Sequence, residues 1–262
     1  MIELERREGR PLCIGHRGAA ALAPENTIES FRAAVETGAD LIEFDVLELA
    51  TGELVVAHSN DLHEVSHGAA TGTVRDRTLS ALREVAPALP TLDEALGFFR
   101  SEAPETGVHV DLKTAESVEK AVSALRRFEL VERTLVSSFH ADALRHVVRL
   151  EPRLRMGVSF PRDRLGVSGR RGSALAIRVG LRALRPITPA FVGALLDRSG
   201  ASALVLHHAL VSERTVRRSH ARGVPVVAWT VDDSRDLTRV DEAGVDAVVV
   251  NNPALFVSTL EP

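Results

Sequence analysis

A histidine and an arginine stand side by side where a short apolar run stops, in the stretch CIGHRGAAALAPENTIESF (residues 13–31). An imidazole titrates near neutrality and can exchange protons with a reacting group, while a guanidinium is a forked donor matched to phosphate oxygens. Further on, LIEFDV (41–46) carries Glu43 and Asp45 two residues apart, and VHVDLK (108–113) carries His109, Asp111 and Lys113 at the same spacing. Side chains alternate along a strand, so in each segment the charged set shares one face and the apolar set the other. Three carboxylates and an ammonium turned inward need a cation, each other or a substrate, because unpaired burial is costly. Hard divalent cations, Mg²⁺ or Ca²⁺, take oxygen ligands of this kind and keep positions open for water or substrate oxygens. No His-rich set with zinc spacing is present. A purely structural ion network is the competing reading of the same carboxylates.

The elements that must position these groups are legible as nine short runs rich in Val, Ile, Leu and Phe: 12–15, 41–46, 54–58, 108–113, 134–139, 154–160, 203–208, 224–231 and 246–250. Helical patterns lie between most of them, at 26–38, 91–100, 117–128, 141–150, 173–185, 212–223 and 234–244. Strand–helix alternation is the signature of a parallel sheet. One connection is too short for a parallel crossover, the one between 41–46 and 54–58, so these two form a hairpin. Eight parallel strands then remain, the number that closes a (β/α)8 TIM barrel, with residues 47 to 90 as an insertion after the second barrel strand. If Thr51 and Gly52 are the hairpin's two turn residues, Asp45 lies opposite His58, with Cβ atoms roughly 5 Å apart. His16, Arg17, His58, Lys113 and a metal held by carboxylates would then share the C-terminal mouth, where such barrels place active sites. Together they describe phosphoryl chemistry: cations hold the anion and two imidazoles exchange protons with nucleophile and leaving group.

Composition narrows the class. The chain has 262 residues, 45% of them apolar, and a formal charge of −4, so nothing in its bulk charge draws it to nucleic acid. Cys13 is the sole cysteine and reads as a small buried residue in a reducing compartment. No run reaches the ~18 apolar residues of a membrane span, and the N-terminal residues carry no signal-like stretch, so a cytoplasmic location and a single domain over 1–262 are expected. Only Lys113 and Lys120 are lysines among 32 basic residues, which adds weight to an inward-facing Lys113. Residues 161–185 hold seven arginines against Asp163, with Arg178, Arg182 and Arg185 on one helical stripe. That pattern reads as a solvated helix face, or as a peripheral contact with an anionic lipid surface. His63, His67, His207 and His208 are further mouth-side histidines without an assigned role.

The order His16-Arg17-Gly18, Pro24-Glu25-Asn26-Thr27, Glu43-Phe44-Asp45 and His58, followed by VHVDLK, SSF (137–139), VVAWTVDD and GVDAVVVNNP, resembles the glycerophosphodiester phosphodiesterases along nearly the whole chain. The resemblance implies Glu43, Asp45 and Asp111 as ligands of one divalent cation, Mg²⁺ or Ca²⁺, and His16 and His58 as general acid and base. It implies Arg17 and Lys113 as phosphate contacts, Glu25 as an organiser of the mouth, and Trp229 as lining for the glycerol or leaving-group pocket. The implied reaction is hydrolysis of a small-molecule glycerophosphodiester to sn-glycerol 3-phosphate and an alcohol. A lysophospholipase D-like activity on lysophospholipids and a non-catalytic metal- and phosphate-binding barrel are the alternatives. The sequence departs from the family pattern at Asp111, one methylene shorter than the usual Glu, at Ser59, where Asp is common, and at Asn251, where Asp is frequent. Oligomeric state and leaving alcohol are not encoded in any of these motifs.

Overall fold

The computed structural model describes residues 1–162 and 174–260, apart from the side chains of residues 174–176. Its strands are β1 (Leu12–Gly15), β2 (Leu41–Glu48), β3 (Leu54–Val56), β4 (Gly107–Leu112), β5 (Thr134–Ser138), β6 (Arg155–Phe160), β7 (Ala203–His207), β8 (Val226–Trp229) and β9 (Ala247–Val250). They pair in the order β1-β9-β8-β7-β6-β5-β4-β2, and a further β1–β2 pairing closes the ring. Every pair within the ring is parallel, which makes this a (β/α)8 TIM barrel. β3 is antiparallel to β2 and lies outside the ring.

The hairpin register differs from the sequence expectation by one residue. Val46 faces Val56, Leu47 faces Val55 and Glu48 faces Leu54, so Asp45 lies level with Ala57 and not with His58. The connection uses three residues, 50–52, closed by a bond from the Gly52 N–H to the Leu49 carbonyl. Gly52 occupies the left-handed region at φ +97°, the conformation that ends this kind of loop with a bulge. β3 stops at Val56, and His58 follows in a bend.

The helices are α1 (Ile28–Glu36), α2 (Leu62–Val65), α3 (Leu79–Val85), α4 (Leu92–Ser101), α5 (Val118–Arg127), α6 (Ala141–Leu150), α7 (Ala174–Leu184), α8 (Thr188–Ser199), α9 (Glu213–His220), α10 (Ser234–Glu242) and α11 (Pro253–Leu260). The sequence pattern did not show α2, α3, α8 or α11. The first two are too short to display a helical period. In α8 and α11 a proline sits in the first turn, where its missing N–H costs nothing. In the arginine-rich segment Arg178, Arg182 and Arg185 are exposed; its residues 163–173 lie outside the described ones.

Three apolar clusters follow from the alternation of the strands. Ile42, Phe44, Val46, Val108, Val110 and Leu112 point outward and pack under the helices against Phe31, Leu96, Phe98 and Phe99. Inside the barrel, Leu12, Ile14, Leu41, Leu135, Val205, Val227 and Val249 fill the end away from the mouth, with Ile2 and Leu4 packed against them. Leu47, Leu49, Val55, Leu62, Val74, Leu82 and Leu89 form a separate small core under the insertion. The charged faces of β2 and β4 are thereby confined to the upper barrel. Phe99 is fully buried and touches Phe31, Phe44 and Phe98 with ring centroids 5.3–5.7 Å apart. Phe99→Ala is expected to cost about 3–5 kcal/mol in equilibrium denaturation, the usual range for removing a buried aromatic ring. Among the described residues no single helix is long and apolar enough to cross a membrane; the α7–α8 pair passes on length and composition only, and is bent by 88°.

Candidate active site

The mouth is organised by the turn that ends β1. Arg17 (φ +50°) and Gly18 (φ +88°) are both left-handed, which reverses the chain directly after His16. A Cβ at Gly18 would fall 2.2 Å from Ser30 Oγ, so this position admits only glycine. The Arg17 N–H donates to Glu43 Oε2 at 2.9 Å, and Ser30 Oγ donates to the Arg17 carbonyl at 2.8 Å. The Pro-Glu-Asn-Thr turn then serves three purposes. Glu25 Oε1 accepts from Arg17 Nη1 at 2.6 Å, Asn26 Nδ2 donates to Asp45 Oδ2 at 2.9 Å, and Thr27 caps the N-terminus of α1. Asn26 also accepts from the Asp45 N–H, so one amide fixes both the backbone and the carboxylate of that residue.

Parallel pairing puts Glu43 beside His109 and Asp45 beside Asp111, inside the barrel. Lys113 Nζ lies 2.6 Å from both Asp45 Oδ1 and Asp111 Oδ2. Ser137 Oγ donates to Asp111 Oδ1 at 2.6 Å and meets His109 Nε2 at 2.8 Å. Arg17 Nε stands 3.2 Å from Asp45 Oδ2 without hydrogen-bond alignment. Burial opposes ionisation of Asp45, but Lys113, Arg17, His58 and Asn26 outweigh it and hold its carboxyl well below the usual range. Glu43 goes the other way: burial, then its neighbours Asp45 and Asp111, push its pKa well above the carboxylate range. Lys113, although buried, is held in its charged form by Asp111, Asp45 and Glu43.

The two imidazoles have unlike partners. His16 Nδ1 meets Asn251 Oδ1 at 2.6 Å, Asn251 Nδ2 donates to Asp232 Oδ1 at 2.8 Å, and His16 Nε2 points toward the cluster, 4.0 Å from Glu43 Oε2. Burial, then the charge of Arg17, lowers the His16 pKa below its ordinary value. His58 Nδ1 meets Glu64 Oε1 at 2.6 Å, and Ser59 Oγ donates to Glu64 Oε2 at 2.5 Å. His58 therefore reaches the mouth through a bend anchored on α2, not through strand pairing. The His58 hydrogen bond, with Ser59 in support and burial opposing, brings the Glu64 carboxyl down to about 2.

The opposite wall is aromatic. Trp229 stacks edge-on against Phe139 and His207, with centroids 5.8 and 5.2 Å away, and its Nε1 donates to the Val205 carbonyl. Burial, then His208, brings the His207 pKa down to about 4, so this ring is a neutral part of the wall. His208 is tied to Asp236 at 3.2 Å, and His63 is exposed. Sequence reading did not single out Glu64, quoted Asn26 and Ser137 within the Pro-Glu-Asn-Thr and SSF motifs without giving them a role, and noted Asn251 only as a departure. The signal for Asn26 lay in the Pro-Glu-Asn-Thr turn itself.

Three carboxylates thus converge, yet among the described residues no three His, Cys, Asp or Glu side chains already stand as an ion-holding group. The Lys113 ammonium separates Asp45 from Asp111. The donor chemistry nevertheless fits a hard divalent ion. Among the described residues, the carboxylates of Glu25, Glu43, Asp45, Glu64 and Asp111 face Arg17 and Lys113 as permanent cations, and Glu43 is pushed upward by burial first and then by Asp45 and Asp111. A phosphodiester anion would add to that excess unless a further cation entered.

A closed parallel barrel carrying this polar constellation at its C-terminal mouth defines a barrel enzyme of phosphoryl chemistry. Residues 16–255 match the model of the glycerophosphoryl diester phosphodiesterase family. The chain belongs to that family and is an enzyme of it. It is 27% identical over 265 residues to a glycerophosphodiester phosphodiesterase of Caldanaerobacter subterraneus subsp. tengcongensis, covering 95% of this chain and 97% of that one. A glycerophosphodiester phosphodiesterase structure from Agrobacterium tumefaciens superimposes with a TM-score of 0.71 at 24% identity, over 95% of this chain and 99% of the other. An Oleispira antarctica phosphodiesterase solved with the product sn-glycerol-3-phosphate gives 0.73 at 23% identity, over 97% and 98% of the two chains. At these identities the structural matches establish the fold.

Proposed function

We propose that this enzyme hydrolyses glycerophosphodiesters to sn-glycerol 3-phosphate and an alcohol, with His16 as general base and His58 as general acid. The observation that carries the assignment is the unlike partnering of the two imidazoles. His16 rests on the neutral amide of Asn251, in a buried site beside Arg17, and so is neutral and able to accept a proton near pH 7. His58 Nδ1 rests on the carboxylate of Glu64, a carboxylate–imidazole pair that fixes the ring for proton transfer through its other nitrogen. With each Nδ1 engaged, Nε2 is the proton-transfer atom of both rings. Arg17 and Lys113 neutralise and orient the phosphate oxygens. His16 takes a proton from the attacking water as the new P–O bond forms. The P–O bond to the alcohol then breaks, and His58 delivers its proton to the departing oxygen. Glu43, Asp45 and Asp111 would hold one divalent cation, Mg²⁺ or Ca²⁺, whose bound presence supplies Lewis-acid polarisation of the phosphoryl group. Trp229 borders the glycerol side of the mouth.

A release assay for sn-glycerol 3-phosphate tests this, run on several glycerophosphodiesters and a lysophospholipid with added Mg²⁺, with Ca²⁺, and after chelation. Turnover of the water-soluble diesters that requires an added cation is the expected result. Full activity after exhaustive chelation would remove the metal from the reading, and turnover confined to the lysophospholipid would replace the substrate class.

A further inference from the structure

The outer face of the α7–α8 pair differs from the helices beside it. A helix on the flank of a barrel turns polar residues to water, as α9 does with Glu213, Arg214, Arg217 and Arg218. α8 instead begins with an exposed apolar stripe at helical spacing, Ile187, Ala190, Phe191 and Ala194. On α7, Val179 stands exposed beside Arg178, Arg182 and Arg185. Val179 is 59% exposed, Ile187 47% and Phe191 46%, a concentration of large apolar side chains in water that marks an interaction face. Residues 174–196 contain no Asp or Glu. Among the described residues no acidic side chain pairs with Arg178, Arg182 or Arg185, whereas Arg145 of α6 and Arg217 of α9, the helices packed against α8, are both in ion pairs. We propose that this face docks the protein on an anionic lipid bilayer, with the three guanidiniums at the headgroups and Val179, Ile187 and Phe191 entering the boundary beneath them.

Charge and shape select the occupant. Exposed apolar side chains flanked by unpaired cations gain on both counts at such a surface, through burial in the acyl boundary and through contact with lipid phosphates. Each arginine held near an anionic membrane is worth about fivefold in partitioning, so three together supply about a hundredfold. A second copy of the chain fits poorly, because a face shared about a two-fold axis would set arginines against arginines. The two helices meet at 88°, and Arg185, Pro186 and Ile187 are all exposed at that corner, an edge able to enter a headgroup layer. α7 packs against the turn His208–Leu210 that follows β7, and α8 leads back to the start of β7, so its first turn lies at the C-terminal end of the barrel. Leu22, 49% exposed, sits in the loop after β1 at the same end. Docking through α7 and α8 therefore turns the rim of the candidate active site toward the bilayer. Binding of this kind is independent of whether the mouth hydrolyses diesters.

Co-sedimentation of the full chain with phosphatidylcholine vesicles, with and without phosphatidylglycerol, tests the docking. At low ionic strength the wild type is expected to bind the phosphatidylglycerol vesicles about tenfold more tightly than the neutral ones or better, and to be released by added salt. Arg178→Gln/Arg182→Gln/Arg185→Gln should lose about a hundredfold of that binding and Ile187→Ser/Phe191→Ser about tenfold. Both variants should keep the wild-type circular dichroism spectrum and rate on a water-soluble diester, since these residues lie outside the catalytic set. Phe191→Trp gives a second reading with the charge intact: its fluorescence, added to that of Trp229, should be quenched by vesicles with brominated acyl chains. Equal affinity for neutral and anionic vesicles, binding to neither, or an indole that bromine leaves unquenched would overturn the docking. A dimer in size-exclusion chromatography that Ile187→Ser/Phe191→Ser dissociates would overturn it too, giving the face to a second copy.

Discussion

His16→Ala and His58→Ala each lower kcat by about 10²–10⁴, the contribution of a single positioned acid or base, with the circular dichroism spectrum unchanged. The two losses are expected to respond differently to the leaving group. On a diester that releases p-nitrophenolate, whose oxygen needs no proton to depart, His58→Ala should recover most of its rate. His16→Ala should not, because the nucleophile still has to be deprotonated. Steady-state rates on the alkyl and aryl diesters give this comparison directly. The structural basis is the pairing of His58 with Glu64 at 2.6 Å and of His16 with Asn251 at the same distance. Recovery of His16→Ala on the aryl diester would reverse the roles, and recovery of neither would mean that both imidazoles only position other groups.

Glu43→Gln is expected to separate stability from activity. The native Glu43 pKa is raised, by burial first and then by Asp45 and Asp111, so its charged form opposes folding when no cation is bound. A group of this kind supports the native state fully below its unfolded pKa, about 4.3, and loses that support as pH rises through the native value. The glutamine keeps the shape and still accepts from the Arg17 N–H, but carries no charge. In chelator at neutral pH the variant should therefore melt higher by about 2–4 °C, the shift that ~1 kcal/mol produces in a domain of this size. The difference from wild type should vanish on acidification below about pH 4. Its kcat/KM should fall by about 10²–10³, the scale of losing one preorganised electrostatic group. A variant less stable than wild type in chelator would show that Glu43 is already compensated without a metal.

The strands were legible because apolar runs and period-two alternation are written residue by residue, and the inward carboxylates followed from the same alternation. His16 and Arg17 were legible because they interrupt such a run. The hairpin register was not, since Thr51-Gly52 suits either a two-residue turn or the end of a three-residue loop, and only cross-strand packing of Leu47 and Val55 decides between them. Glu64 escaped notice for a related reason. It lies on a four-residue helix within a stretch of small and polar residues, where no periodicity marks which side chain turns toward the barrel. Asn251 was legible only as a departure where aspartate is frequent, and its amide serves His16 with one end and Asp232 with the other.

The insertion's separate apolar core has a mechanical implication. His58 and Glu64 are carried by that satellite, whereas His16, Arg17 and the inward carboxylates are carried by the closed ring. In the proposed mechanism the His58 half of the proton transfer therefore rides on a unit whose apolar core is separate from those of the ring. The expected result under mild denaturation is loss of turnover before loss of the barrel's circular dichroism signal, because a unit with its own small core can open locally.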